Sequence, residues 1–179
     1  MKTNFGIVVP TKDRPEFIFR LFKFYKNQIN KPSIYIGDSS NDENSNSIKN
    51  EIEKYKKDLN IEYFYNKNFN EREFQKQLLY AVKEDFCAYT ADDDLIFTSN
   101  INKYIEFLTK NLSYRTCSGS AFIFKTHNNR PYGKINFLER YWKRNIKNSE
   151  NKIDRLFNFI LNYWVTEFSV HRTFEYIED

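Results

Sequence analysis

The sequence predicts an α/β fold in which helices cover both faces of a mostly parallel sheet. Short apolar runs rich in β-branched and aromatic residues alternate four times with amphipathic segments over residues 5–112, which is the pattern of strands joined by helical crossovers. Aromatic residues make up 18% of the 179-residue chain, so a sizeable core is expected. Only 4 Gly and 4 Pro are present, which argues against a turn-rich all-β chain.

Hydrophobic periodicity predicts the elements of this core. Buried-type strands are expected at residues 5–9, 33–38, 61–65 and 86–89, where short apolar runs end at polar residues. Amphipathic helices are expected around residues 17–25, 48–55, 74–82 and 101–108, where apolar residues recur at helical spacing. Thr11 or Asp13 is expected to cap the first helix, and Thr98 or Ser99 the fourth.

The last third of the chain has a different pattern. Residues 114–125 predict a longer strand with an interruption at residues 118–120. Residues 130–147 predict a basic amphipathic helix, which either covers the sheet or rests on a membrane or an anionic acceptor. A short helix is expected around residues 157–161, and residues 164–171 alternate between apolar and polar side chains as a strand would.

Three adjacent carboxylates, Asp92, Asp93 and Asp94, stand between two apolar runs. Adjacent acids repel each other, so a folded protein that holds three of them between buried segments is expected to supply a cation. In extended backbone Asp92 and Asp94 share a face, and Mg²⁺ or Mn²⁺ suits oxygen-only ligands of this kind. The alternative is a solvated acidic turn in which Asp94 caps the segment that follows.

Polar residues also follow two other predicted strands. The turn at residues 10–14 follows the first strand, and Asp38 ends the second. Ligands of open parallel sheets bind beyond the carboxyl ends of the strands, where the strand order reverses. We therefore expect these residues and the aspartate trio to converge on one crevice.

Charge and cysteine usage restrict the class of protein. The net charge of +4 is too small to indicate nucleic-acid binding, although it would attract a phosphorylated substrate or an anionic membrane surface. Cys87 and Cys117 lie in predicted strands without a CxxC spacing, which predicts reduced core residues of a cytosolic protein. The apolar run at residues 5–9 is too short for a signal peptide, and no 18-residue apolar span predicts a membrane crossing.

On three motifs the chain resembles the family 2 glycosyltransferases of the GT-A fold, a Rossmann-like α/β fold. Residues 7–15 (IVVPTKDRP) resemble the opening strand and turn of that family. Residues 36–40 (IGDSS) look like its second strand with a base-contacting aspartate, and residues 91–94 (ADDD) look like its DxD metal motif. The resemblance covers about residues 5–125 and implies that the C-terminal part of the fold is truncated or unusually short.

This resemblance implies transfer of a sugar, with inversion, from a nucleotide-diphosphate donor to the hydroxyl of a glycan or lipid-linked acceptor. A UDP-sugar is the favoured donor, and the protein would be cytoplasmic, with peripheral membrane contact. Residues 1–125 would form the nucleotide-sugar-binding core, and residues 126–179 the acceptor-side segment of the same domain.

The resemblance also implies roles for individual residues. Mn²⁺ or Mg²⁺ would bind Asp92 and Asp94 and stabilise the diphosphate leaving group. Lys76 stands where the family has a basic residue, while the family's neighbouring Asn is replaced by Gln77. The residues of the donor site would be Pro10, Thr11, Arg14, Asp38, Lys76, Asp92 and Asp93. The alternative for Arg14 is a structural salt bridge near the start of the first helix, and the alternative for Lys76 is a solvated lysine.

An inverting transferase also needs a base that removes the proton of the acceptor hydroxyl, and Glu167 and Asp179 are the candidates. Glu167 shares a predicted strand face with His171, although the favoured interpretation of that face is the solvated side of an edge strand.

Three other functions are alternatives to the transferase. A nucleotidyltransferase would need a Gly-rich phosphate loop, which residues 10–14 lack. A phosphatase that forms an aspartyl-phosphate would need Thr or Val where Ile96 stands. A non-catalytic module that binds a nucleotide or a sugar is the third alternative.

Overall fold

The computed structural model describes residues 4–128, 130–141, 149–161 and 168–178. In chain order these contain β1 (Phe5–Thr11), α1 (Pro15–Lys26), β2 (Ser33–Asp38), α2 (Asp42–Tyr55), β3 (Asn60–Tyr65), α3 (Glu71–Ala81), β4 (Phe86–Tyr89), a 3₁₀ turn (Thr98–Asn100) and α4 (Ile101–Lys110). They continue with β5 (Thr116–Cys117), β6 (Phe122–Thr126), β7 (Ile135–Arg140), α5 (Lys152–Leu161), β8 (Val170–Arg172) and α6 (Thr173–Glu178).

The chain divides into two compact units. The first unit comprises residues 1–118 and 168–179, so the chain returns to it after the second unit, residues 119–167. Strand β8 and helix α6, near the C-terminal end of the sequence, therefore belong to the first unit.

The first unit is built on a six-stranded sheet of order β3-β2-β1-β4-β8-β5. Strands β1 to β4 are mutually parallel, and β8 runs antiparallel to both β4 and β5. The chain adds β2 and β3 on one side of β1 and then crosses to place β4 on the other side. The strand order therefore reverses between β1 and β4, and the predicted mostly parallel sheet is confirmed.

Helices pack on both faces of this sheet, as predicted. Alternate residues of β1 point to opposite faces, so Ile7 and Val9 belong to one apolar cluster and Val8 to the other. The first cluster includes buried residues of α1, α2 and α4, and the second includes buried residues of α3 with partly buried residues of α6. Cys87 lies in β4 and Cys117 in β5, and burial raises the pKa of Cys87 to about 11.

The predicted helix caps are wrong at α1. Helix α1 begins at Pro15 with Arg14 as its N-cap, and no side chain bonds that cap. Strand β1 continues through Pro10 to Thr11, because both pair with β2. Thr11 and Asp13 are used in tertiary contacts instead, which are described below.

Two further boundaries differ from the expectations. The N-cap of α4 is Asn100, because Thr98 and Ser99 belong to the 3₁₀ turn that precedes the helix. Helix α2 begins at Asp42, earlier than expected, because the Asn41 side chain accepts a hydrogen bond from Asn44 N.

The last third differs most from the sequence-based expectation. The single strand predicted at residues 114–125 is wrong, because β5 pairs with β8 in the large sheet whereas β6 pairs with β7 in a separate hairpin. The basic helix predicted at residues 130–147 is wrong for residues 135–140, because these form the extended strand β7. Residues 142–148 lie outside the described residues. The predicted short helix is confirmed as α5. Of the alternating strand predicted at residues 164–171, residues 164–167 lie outside the described residues, and residues 170 and 171 belong to β8.

No helix within the described ranges has the length and apolar content needed to cross a bilayer.

Candidate functional site

The carboxyl ends of β1, β2 and β4 come together at the switch point of the sheet. Thr11 and Asp38 are register partners at the ends of β1 and β2. Thr11 Oγ1 donates a 2.6 Å hydrogen bond to Oδ2 of Asp92, which follows β4. Thr11 and Asp92 are both buried, so this bond fixes the aspartate segment to the end of β1. The predicted convergence of these strand ends is therefore observed.

Arg14 neutralises the first carboxylate of the trio. Its Nε donates to Asp92 Oδ2 at 3.2 Å, and its Nη2 forms an ion pair with Asp92 Oδ1. The same Nη2 lies 3.2 Å from Asp93 Oδ1. Asp92 is buried, so the guanidinium group of Arg14 supplies the positive charge that this carboxylate requires. The sequence predicted that a metal ion would neutralise the charge of Asp92. In the structure the guanidinium group of Arg14 does so.

A second arginine, which the sequence analysis missed, holds the backbone of the trio. Arg20 Nη2 donates to the carbonyl oxygen of Asp93 at 2.5 Å. The guanidinium carbons of Arg14 and Arg20 lie 4.6 Å and 5.0 Å from the ring centroid of Phe17. The spacing of three residues between Arg14, Phe17 and Arg20 places them on one face of α1, and this periodicity is the sequence signal that could have found Arg20.

Asp38 organises the turn that follows β1 rather than facing open solvent. It is fully buried, and its carboxylate accepts hydrogen bonds from Ser40 N at 2.8 Å and from Tyr63 Oη at 2.6 Å. Burial, reinforced by the adjacent Asp38 carboxylate, raises the pKa of Tyr63. Ser40 Oγ in turn accepts a 2.7 Å hydrogen bond from the backbone N–H of Asp13. The end of β2 therefore sets the conformation of the turn after β1.

Asp13 adopts a left-handed conformation, with φ of 55°, which aspartate tolerates better than most residues. Its Oδ1 accepts hydrogen bonds from Asn44 Nδ2 at 3.0 Å and from Asn41 N at 2.9 Å. These two bonds lower the pKa of Asp13. The turn after β1 is thus tied to the start of α2 through a charged side chain.

The aspartate trio forms a turn, so the expected extended backbone is wrong. Asp94 N donates to the carbonyl oxygen of Ala91 at 3.2 Å, and Asp92 and Asp94 therefore do not share a strand face. Partial burial of its carboxyl group and the charge of Asp93 raise the pKa of Asp94. Among residues 4–128, 130–141, 149–161 and 168–178, no group of three or more His, Cys, Asp or Glu side chains has the arrangement of a metal site.

The carboxylate oxygens of the trio still suit a divalent ion, but the ion would bind at Asp94. The Asp94 carboxylate offers oxygen ligands, and the nearby negative charge of Asp93 repels its own charge. Both properties suit binding of Mg²⁺ or Mn²⁺. Asp92 would become a ligand only by exchanging Arg14. The predicted pair of ligands is therefore not preformed.

The remaining predicted site residues are dispersed. Pro10 lies in β1 and pairs with Gly37, one residue before the Thr11 and Asp38 pair. Lys76 is exposed on α3, and none of the contacts that build the site involves it. Glu167 and Asp179 lie outside the described residues, so their role as base stays a prediction.

Solved structures share this fold. No protein-family model matches the sequence, and no curated protein matches it at the significance required. A crystal structure of Staphylococcus aureus TarS residues 1–349 superposes with a TM-score of 0.59 at 16% identity over 97% of this chain. The same protein in complex with UDP-GlcNAc gives a TM-score of 0.57 at 17% identity over 97% of this chain.

A mannosyltransferase from Pyrobaculum calidifontis, in complex with GDP-Man and Mn²⁺, gives a TM-score of 0.50 at 16% identity over 60% of this chain. The matches cover 47% and 46% of the two TarS chains and 33% of the mannosyltransferase, so this chain spans about half of those proteins or less. At such identities the likeness shows the fold, a Rossmann-like α/β fold of the GT-A type.

Proposed function

We propose that this chain is a family 2 glycosyltransferase that binds a nucleotide-diphosphate sugar at the switch point between β1 and β4. A UDP-sugar is the favoured donor, and a glycan or lipid-linked hydroxyl is the acceptor. The observation that carries the proposal is the bond between Thr11 and Asp92, which joins two of the three resembling motifs at the place where open α/β sheets bind ligands. The same fold carries UDP-GlcNAc in TarS.

The proposed roles follow from charge and position. Thr11 and Pro10 line the donor site at the end of β1, and Asp38 supports ribose or base binding through the turn that it anchors. Arg14 carries a positive charge that a diphosphate would attract away from Asp92. Asp93, exposed beside Arg14, would contact the donor sugar. Lys76 would contribute a positive charge only if the donor extends toward α3.

A divalent ion held by Asp94, with Asp92 joining on release of Arg14, would neutralise the charge that develops on the departing diphosphate. Transfer with inversion needs a base that accepts the proton of the acceptor hydroxyl, and Glu167 and Asp179 are the proposed candidates. Residues 126–179 are proposed to form the acceptor side.

Thermal denaturation with UDP tests the donor site. Ligand at 100 times its Kd adds about 2.7 kcal/mol to the free energy of unfolding, which would shift Tm by several degrees. We expect UDP to raise Tm with Mn²⁺ present and much less without it. Asp94→Asn should remove the Mn²⁺-dependent part, whereas the control Glu53→Gln, on the exposed side of α2, should retain it. No shift with any nucleoside diphosphate would contradict the proposal.

A non-catalytic binding module is the second candidate, and one observation favours it. Arg14 already satisfies the Asp92 carboxylate, which is the arrangement expected if no ion is needed there. Binding of UDP without hydrolysis or transfer from any UDP-sugar would support this reading. Release of phosphate from p-nitrophenyl phosphate would instead favour a phosphatase.

A further inference from the structure

Helix α5 turns its apolar side outward. Ile153, Leu156, Phe157, Ile160 and Leu161 fall at helical spacing, so they form one stripe along the helix. Each of them is between 58% and 77% exposed, and no residue of the helix is buried. An amphipathic helix normally buries this stripe, so an exposed one indicates a surface that something else covers.

The opposite side of α5 is the partly covered one. Asn158 and Phe159, which lie away from the stripe, are only half-exposed. Arg155 on the same side donates from Nη1 to the carbonyl oxygens of Ser149 and Glu150, at 3.0 Å and 2.9 Å. The side of α5 opposite the stripe is therefore more covered than the stripe itself.

The second unit carries the positive charge of the whole chain. Residues 119–167 contain nine Lys and Arg and four Asp and Glu, a net charge of +5. The rest of the chain contains 19 basic and 20 acidic residues and is nearly neutral. Both tryptophans of the chain also fall within residues 119–167. Exposed apolar side chains together with basic and aromatic residues are the composition of a segment that lies in a membrane interface.

We propose that α5 docks the second unit on an anionic lipid bilayer, with the apolar stripe entering the boundary between headgroups and acyl chains. A second copy of this chain is disfavoured as the occupant, because pairing two units of +5 brings like charges together. An anionic bilayer attracts that charge and accepts the apolar side chains at the same time. This moves the membrane contact that the sequence suggested for residues 130–147 to α5, and it does not depend on the proposed activity.

Co-sedimentation of the 179-residue chain with sucrose-loaded vesicles tests the proposal. Vesicles of phosphatidylglycerol and phosphatidylcholine should bind it, and pure phosphatidylcholine vesicles should bind it much less. The double substitution Leu156→Gln and Phe157→Gln should lower the partition coefficient by at least about tenfold, because it removes apolar area that enters the bilayer. Glutamine keeps helix propensity and both positions are exposed, so folding should be unaffected.

A control variant shows whether the loss of binding is specific to α5 or follows from the loss of any exposed apolar surface. Ile29 and Leu112 are 92% and 76% exposed in the first unit, and Ile29→Gln with Leu112→Gln removes similar apolar surface there. This control should bind anionic vesicles like the unaltered chain. If it loses binding as strongly as the α5 variant, the docking surface is not α5 and the proposal is wrong.

Charge variants test the electrostatic part in the same assay. Lys134→Gln with Lys152→Gln should weaken binding by about fivefold for each charge, the fold-change given by about 1 kcal/mol per basic residue. Lys57→Gln with Lys103→Gln, two exposed lysines of the first unit, should have a smaller effect. Equal effects of the two pairs would contradict docking through the second unit.

Two further outcomes would overturn the proposal. One is absence of binding to anionic vesicles at low salt, where electrostatic attraction is strongest. The other is self-association in sedimentation velocity without vesicles that Leu156→Gln with Phe157→Gln abolishes, which would identify the stripe as an interface between copies of this chain.

Discussion

The two units bury apolar side chains to very different degrees. In the first unit, β1 and β2 are buried along nearly their whole length, and α1 alone contributes four buried residues. In the second unit, all six residues of β7 are exposed and α5 has no buried residue. A two-stranded hairpin is marginally stable by itself, so β6, β7 and α5, the described elements of the second unit, contribute little core stability. The first unit is therefore expected to carry most of the stability of the chain.

This difference in burial explains which elements were wrongly predicted from the sequence. A strand that is buried on both faces is a short, continuous apolar run, and such runs identified β1 and β2 without ambiguity. In β7, Ile135 and Phe137 alternate as in a strand, but Leu138 follows Ile135 at helical spacing. Neither face of β7 is buried, so no burial constraint selects one period over the other. Pairing with β6 decides the conformation, and a local pattern does not contain that information.

The largest effect is expected from two matched phenylalanine substitutions. Phe22 on α1 is fully buried, whereas Phe157 on α5 is 60% exposed. Phe22→Ala should lower the free energy of unfolding by about 3–5 kcal/mol, because it leaves a cavity in the core. Phe157→Ala should change it by less than about 0.5 kcal/mol. Urea unfolding followed by circular dichroism measures both, and similar losses would contradict the contrast between the units.

The same distinction between local and tertiary information applies to the candidate site. The polar ends of β1, β2 and β4 were predicted to converge because parallel strands share a direction, and Thr11, Asp38 and Asp92 do so. The capping roles were wrong because Thr11 and Asp13 bond residues that are far away in sequence. The pairing of Arg14 with Asp92 spans 78 residues, and no spacing rule predicts it.

An intermediate effect is expected where α3 packs closely against β2. A Cβ on Gly37 in β2 would lie 2.4 Å from Phe74 Cδ1 and 2.9 Å from Phe74 Cβ. The Cβ of Phe74 is fixed to α3, so the helix itself would have to shift. Gly37→Ala should therefore cost about 1–3 kcal/mol in urea unfolding.

Gly6→Ala is the control for this packing effect. Its Cβ would meet only side-chain atoms, of Glu84, Tyr35 and Val82, each at 3.2 Å. Those side chains can move by a few tenths of an ångström, so the loss of stability should be smaller than for Gly37→Ala. If the two substitutions cost the same, α3 is not held against β2 as tightly as the structure shows.

The smallest effect concerns the charge of Asp13, which ties the turn of the candidate site to α2. Hydrogen bonds from Asn44 and Asn41 lower the pKa of Asp13 in the folded state, so its contribution to stability is present above the unfolded-state pKa and is lost as pH falls below about 4 and through the folded-state pKa. Asp13→Asn keeps the left-handed backbone accessible and an oxygen acceptor for Asn41 N, so it removes the charge alone. We expect a small loss in the free energy of unfolding at pH 7 that becomes smaller as the pH falls below about 4. Asn44→Ala, which removes the side-chain donor, should show the same dependence on pH. If either variant lost as much free energy of unfolding at pH 3 as at pH 7, the charge of Asp13 would not be what holds this turn.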